Sequence, residues 1–383
     1  MRIQKIDLFA DLFEKENGIP GIYAGMKFVN INKMTDSPLT NKNFGTIYSI
    51  KFVPDYLLFP LANASLYCSK KLYQVKGYSA RLDEVINITS YVKSQFRSNA
   101  KTIHRYVNRL ESCFDIEYKM YYGNIDKNTY NFLMDSLYDM MQKRFRQLQI
   151  PNESEAKWEH TRNILQDLIH KKRASLFVIY DGLKPIEMSI NYHFKGILFS
   201  TISSYDIDYS KFGLGHVEIY KQIEWCLKNE HIVFEMGRGD LDYKRRWSNQ
   251  IYNFEHHIIY LKDSLYGRVW AFKETALNRI KSYLKSKNVD VIYKKLLGKP
   301  SAKHNPNNSM EFKTEIINTN LSESNMTPID LNLEAHAFIK KYVYDFLYSN
   351  IEHISKIEIF CLEEEKTYVI KGLKKSIKIY RDH

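Results

Sequence analysis

The chain has 383 residues, 44% hydrophobic and 26% charged, which is a soluble globular composition with length for two or three domains and a sizeable core. Its longest apolar stretch, around 56–66, is too short to cross a bilayer and holds Pro60 and Asn63, so no transmembrane segment is expected. The net charge of +12 favours polyanionic partners and does not choose among nucleotide cofactors, nucleic acid, anionic glycans and a membrane surface.

The four cysteines, Cys68, Cys113, Cys226 and Cys361, are scattered with no CxxC spacing, which argues against zinc ribbons and redox dithiols and fits a reducing compartment. No metal is expected. Asp7, Asp11 and Glu14 stand where a secretory leader needs an apolar core. A cytoplasmic location is expected, with peripheral attachment to an inner membrane left open. The 29 tyrosines need partners for buried hydroxyls, so several should line a wet cleft.

Residues 1–90 read as a mixed α/β lobe with strand-like stretches at 44–53 and 71–82. Residues 91–114 read as one helix, because Phe96, Ala100, Ile103, Val107, Leu110 and Phe114 recur at spacings of three and four. Beside them runs a basic row, Lys93, Arg97, Lys101, Arg105 and Arg109, that precesses by about 40° per step. It reads as a solvated face or as an anion-binding edge. Helices are predicted over 128–147 and 153–172, either side of Pro151-Asn152, the second starting near Asn152 or Ser154.

The period then changes to two. Residues 174–181, 185–194 and 196–205 form a predicted antiparallel meander with turns at Asp181-Gly182 and Lys195-Gly196. A loop leads to a helix over about 214–229, with Val217, Tyr220 and Ile223 buried, and to a strand over 231–237. A basic helix follows over about 265–287 and closes a domain running from 91 to 298. Residues 299–328 read as a linker. Residues 329–383 read as a small α/β appendage of one helix (about 332–350) and two or three strands, a candidate surface for an unknown protein partner.

The junction Ser210-Lys211-Phe212-Gly213-Leu214-Gly215 lies between a predicted strand and a predicted helix. A helix start offers free N–H groups and the positive end of the dipole, and glycines let a diphosphate approach the backbone. A lone GxG is also an ordinary tight turn. Its context here is meander, glycine loop, helix and strand.

That order resembles the core of the GNAT acyltransferases, whose pyrophosphate loop reads Gln/Arg-x-x-Gly-x-Gly/Ala; Gly213 and Gly215 match, and Ser210 departs from the first position. The segment FEMGRGDLDYKRRW (234–247) resembles the signature of the CelD-like acetyltransferases, a GNAT branch related to the Fem-type aminoacyltransferases. Gly237, Arg238, Gly239, Asp240, Tyr243 and Lys244 coincide, while Glu235 and Met236 replace the usual Asp and Phe. The resemblance spans about 91–250. It implies an α/β fold with a mixed, largely antiparallel sheet flanked by helices, and leaves open two pseudo-repeated lobes. It implies acetyl-CoA or another acyl-CoA as co-substrate, bound at 210–215. The acceptor would be an amine or hydroxyl of a sugar, sugar nucleotide or related envelope precursor.

Direct attack on a thioester needs positioning, an oxyanion donor and a proton acceptor, and no enzyme nucleophile. The resemblance makes Lys244 the candidate oxyanion donor, against a surface lysine. Arg238 and Asp240 are either an ion pair shaping the loop or the acceptor's anchor, and Tyr243 either packs or protonates the leaving thiolate. Glu187, Glu235 and His193 lie on predicted strands as candidates for the base or for acceptor binding. Strand parity puts Glu187, Ser189, Asn191 and His193 on one polar face, turned to solvent or to the acceptor cleft. Two other readings stand beside this one. A Fem-like transferase using aminoacyl-tRNA would suit the basic helices, and a non-catalytic scaffold would tolerate loss of Lys244.

Overall fold

The structure, a computed structural model, describes residues 2–15, 18–29, 34–36, 45–149, 155–286, 312–317, 326–362 and 367–381. The chain opens with β1 (Arg2–Asp7), β2 (Gly25–Phe28), β3 (Met34–Asp36), β4 (Thr46–Pro54), β5 (Leu57–Leu58) and the long β6 (Tyr67–Arg81). Then come α1 (Ile88–Phe96), α2 (Ala100–Cys113), β7 (Ile116–Tyr121), α3 (Lys127–Leu148) and α4 (Glu155–His170). The meander is β8 (Ala174–Asp181), β9 (Lys184–Phe194) and β10 (Ile197–Tyr205). A 3-10 turn (Ile207–Phe212) leads to α5 (Leu214–Lys228), β11 (Val233–Arg238), α6 (Asp242–Trp247), β12 (Gln250–Leu261) and α7 (Leu265–Ser286). The last elements are β13 (Phe312–Ile317), β14 (Thr327–Pro328), α8 (Lys340–Asn350), β15 (Glu358–Leu362), β16 (Thr367–Lys371) and β17 (Ser376–Arg381).

Among the described residues, nine strands make one sheet in the order β1-β4-β12-β6-β11-β10-β9-β8-β7. Only β1/β4 and β10/β11 are parallel neighbours. This is the mixed, largely antiparallel sheet expected, with helices on both faces. One face packs on α3 and α4, the other on α1, α2 and α5, each over its own apolar cluster.

The sheet corrects the expected boundary near residue 90. β1, β4 and β6 are strands of the same sheet as the meander, so residues 1–90 are continuous with it and not a separate sheet. β12 joins them by pairing with β6 from Gln250–Ser79 to Leu261–Tyr67. The expected linker is also corrected. Residues 312–317 form β13, the edge strand paired with β17, and Thr327–Pro328 pair with β15; 299–311 and 318–325 lie outside the described residues. The tail is an α/β appendage as expected. It is nevertheless bound into the main core, where Tyr344, Leu347 and Tyr348 of α8 pack with Phe114, Tyr209 and Phe212.

The predicted helix over 91–114 is two helices. Asn87 caps α1 through a box with Ser90, and the run breaks at Arg97, which has φ 48°, before Ser98 and Asn99. Serine and asparagine compete with the helix for backbone hydrogen bonds, so this is where the run yields. All six residues of the predicted apolar stripe are buried. Burying such side chains contributes about 1.5–3 kcal/mol each, against a few tenths for exposed charges, so the apolar stripe and not the basic row orients α2. The predicted starts at Asn152 or Ser154 lie outside the described residues; α4 is observed from Glu155.

Candidate active site

β10 and β11 pair at Ile197–Val233, Leu198–Phe234 and Phe199–Glu235, and the pairing ends there. A bulge between Ser200 and Ile202 and a register shift between Glu235 and Arg238 turn the strands apart. The result is a notch in the centre of the sheet whose edges carry backbone groups not used by the β10/β11 ladder.

The 206–215 loop closes one end of the notch. The Asp208 N–H donates to the Asp206 side chain, the 3-10 turn follows, and Gly213 with φ 64° starts α5 without any side-chain cap. The first N–H groups of a 15-residue helix therefore face outward with the positive end of its dipole. The two glycines do different work. A Cβ on Gly213 would stand 2.9 Å from the Tyr106 ring, so that glycine lets α2 pack against the loop. A Cβ on Gly215 would meet nothing within 4 Å, so Gly215 is where a phosphate can approach the backbone. Ser210 is exposed, whereas Phe212 and Leu214 are buried in the core and fasten the loop by their side chains. Lys211 points away to α8, donating to Ser349 Oγ at 3.2 Å and the Asp345 carbonyl at 3.4 Å.

A cluster of acids lies under α5. Glu187 is fully buried and Glu218 nearly so. The Ser203 hydroxyl stands 2.8 Å from Glu218 Oε2 and 3.3 Å from Glu187 Oε1. Gln222 Nε2 donates to Glu218 Oε1 at 2.8 Å and to Ser189 Oγ at 2.9 Å. Glu187 Oε2 receives no hydrogen bond. Burial, then the neighbouring Glu218, pushes Glu187 well above the usual carboxylate range; burial pushes Glu218 up to about 6. The face carrying Glu187 and Ser189 thus turns neither to solvent nor to an open cleft, because α5 covers it with a matching polar stripe. The charge of Arg144, which sits 4.5 Å from the Tyr205 ring, bears on both acids.

Glu235 ends the paired part of β11 and is fully buried on the opposite face. It accepts from the Tyr56 hydroxyl at 2.9 Å and the Gly237 N–H at 2.7 Å. Burial raises its carboxyl to about 7, with these donors and the Lys244 charge opposing the rise. Lys244 donates to the carbonyls of Met236 at 2.6 Å and Arg238 at 2.7 Å, which leaves one of its three protons. Burial lowers its pKa while Glu235 raises it. Lys244 therefore clamps the turn at Gly237 and keeps its ammonium beside the notch.

Asp240 is exposed. It accepts from Tyr78 at 2.5 Å and from Arg245 at 2.7 Å, and these partners, Tyr78 first, hold it below its usual range. Of the two alternatives, the ion pair with Arg238 is not formed: Arg238 lies 4.9 Å over the Phe52 ring. Tyr243 is half-exposed on α6, and burial and then the Glu218 charge push its hydroxyl up to about 12. His193 is not with the others. It sits at the far end of β9, six residues or roughly 20 Å from Glu187, bonded to Ser175 at 2.8 Å and His231 at 2.9 Å. Burial and then His231 push it well below the usual imidazole value.

Several residues of the site carry no motif. Glu218 and Gln222 continue the stripe of buried Leu214 at intervals of four, and two polar residues in a buried stripe are a readable signal. Trp247 ends the 234–247 segment, packs 4.8 Å from Phe96 and donates through Nε1 to His216 Nδ1 at 3.0 Å. It ties the segment to the start of α5. Tyr56 lies 179 positions from Glu235 in the chain, beyond any local pattern. A further groove of about 420 Å³ runs along α2 past Lys101, His104, Arg105 and Arg109. Among the described residues no group of three or more His, Cys, Asp or Glu side chains is placed to hold a metal ion.

Residues 97–245, which run from the α1/α2 break into α6 and frame the notch, match the model of a family described as an acetyltransferase (GNAT) domain. No curated protein matches the chain. Among solved structures, a conserved protein of unknown function from Bacteroides thetaiotaomicron VPI-5482 is similar at 8% identity over 56% of this chain and 70% of that one, with a TM-score of 0.38. FemX is similar at 9% identity over 50% of this chain and 62% of that one, with a TM-score of 0.38. The C-terminal domain of a putative lysylphosphatidylglycerol synthetase from Agrobacterium fabrum is similar at 8% identity over 61% of this chain and 73% of that one, with a TM-score of 0.36.

Proposed function

We propose that this chain moves an acyl group from acetyl-CoA or another acyl-CoA to an amine or hydroxyl by direct attack. The observation that carries the reading is the notch: parallel β10 and β11 part after Phe199–Glu235, directly beside the uncapped start of α5 at Gly213-x-Gly215. The free edges of the parted strands suit a flat amide-bearing arm, and the helix start suits the diphosphate at its other end. The resemblance of 234–247 to the CelD-like signature supports a sugar, sugar nucleotide or related envelope precursor as acceptor.

In this reading the acceptor's lone pair attacks the thioester carbonyl, and the remaining Lys244 proton and the backbone N–H groups of the notch meet the oxyanion. The proton released by the acceptor passes through the Ser203 hydroxyl, which bonds both acids, to the buried Glu187–Glu218 pair. The carbon–sulfur bond then breaks, and the Tyr243 hydroxyl hydrogen-bonds the departing thiolate. Asp240, Arg238 and Arg245 form the exposed rim over which the acceptor enters.

The test is thermal denaturation with acetyl-CoA, longer acyl-CoAs and free CoA. At a hundredfold excess over Kd the wild type should gain roughly 3 °C. Gly215→Asp, which fills open space with a negative charge at the helix start, should remove the gain while leaving the unliganded melt unchanged. No gain with any thioester sinks the proposal. The α2 groove, with its row of cations, favours a second reading in which aminoacyl-tRNA is the donor. Nucleic acid that co-purifies and is released steeply by salt would select it.

A further inference from the structure

We infer that α7 is an interfacial helix that seats the protein on an anionic lipid surface. The inference is independent of the donor and the acceptor. One narrow side of α7, made of Gly267, Ala271 and Thr275, is buried on the sheet, and the small residues bring the helix close: a Cβ on Gly267 would stand 2.8 Å from the Tyr260 side chain. A second stripe lies about 140° around the helix from the first, at 100° per residue. It holds Leu265, Val269, Phe272 and Ile280, which are 75%, 60%, 72% and 55% exposed, with Tyr266 and Leu277 beside them. Single exposed apolar residues are ordinary, but a continuous stripe of this length marks an interaction surface.

Charge identifies the occupant. Lys273 and Arg279 flank the stripe at about 60° on either side, and both are exposed. The α7 sequence contains five basic residues and one acidic residue, in a chain of net charge +12. A second copy would bring like charge against like charge. An apolar stripe bordered by cations fits the boundary between acyl chains and anionic headgroups, with the helix lying in the plane of that boundary. No helix of the described residues is long and apolar enough to span a bilayer, so the fit is with the surface.

The full chain should be sedimented with vesicles of phosphatidylcholine alone and of equal parts phosphatidylcholine and phosphatidylglycerol. It should partition into the anionic vesicles and be displaced by salt. Val269→Asp with Phe272→Asp should lower partitioning by more than about tenfold without changing the melting temperature or the shift with acyl-CoA. Lys273→Glu with Arg279→Glu should remove the preference for phosphatidylglycerol and leave the apolar stripe intact. Failure to bind anionic vesicles overturns the inference, as does binding that survives Val269→Asp with Phe272→Asp. Cover by the chain's own residues 287–311 would produce the first of these results. A dimer in sedimentation velocity that the same double substitution dissolves, with vesicles left unbound, would assign the stripe to a second copy.

Discussion

Glu187 and Glu218 lie between the sheet and α5, Glu235 lies on the opposite face, and all three are buried. A carboxylate withdrawn from water holds its proton longer, which places Glu218 at about 6 and Glu235 at about 7. The folded protein therefore binds more protons than the unfolded chain across that interval. Stability from Glu235 is full below its ordinary value of 4.5, declines as pH rises, and is lost above about 7. Glu235→Gln should flatten urea-derived stability between pH 4.5 and 7, removing on the order of 3 kcal/mol of pH dependence. Activity should run the other way: kcat/KM should rise with a midpoint near 6 as the Glu187–Glu218 pair loses its proton. Glu218→Gln should lower kcat by about a hundredfold or more and abolish that limb. An unchanged limb would remove the pair from the proton path.

At the scale of the element, the 206–215 loop is built by packing as much as by its glycines. Gly213 has φ 64° and the Tyr106 ring against its open side, so Gly213→Ala combines backbone strain with a steric clash. It should cost roughly 2–3 kcal/mol by urea denaturation, whereas Gly215→Ala, in a helix and facing open space, should cost nothing. Equal costs would mean that Tyr106 does not hold the loop. The loop's place between strand and helix was legible because meander, glycines and amphipathic helix are local patterns. The α1/α2 break was not, since the apolar spacing continues unbroken through Arg97–Asn99. β12 was missed for a related reason. Its second half, His256 to Ile259, is buried on both faces, and its alternation is interrupted where the register shifts between Phe254 and Glu255. Glu187 was legible as a candidate from the polar face of its predicted strand, while its partner Glu218 showed only as a polar position in the buried stripe of α5.

At the scale of the whole molecule, what escaped the sequence is sequence-distant. Pairing of Tyr67 with Leu261, or of Phe312 with Arg381, leaves no local trace, so residues 1–90 and 329–383 read as separable pieces. The structure joins them. Arg109 donates to the Tyr348 carbonyl at 2.8 Å and lies 4.3 Å over its ring, and Lys211 reaches Ser349 from the loop that would hold the diphosphate. Leu347 is fully buried between the appendage and α2, so Leu347→Ala should cost about 3 kcal/mol. Because that cavity opens in a core shared with the loop, calorimetry should show one transition that moves down as a unit, with a weaker acyl-CoA shift. Two transitions, of which only one moves, would instead make the tail an independent module and leave the loop to be held by α2 alone. The sharing of Phe114, Tyr209 and Phe212 between α8 and the loop is why a single transition is expected: pulling α8 away exposes those three as well.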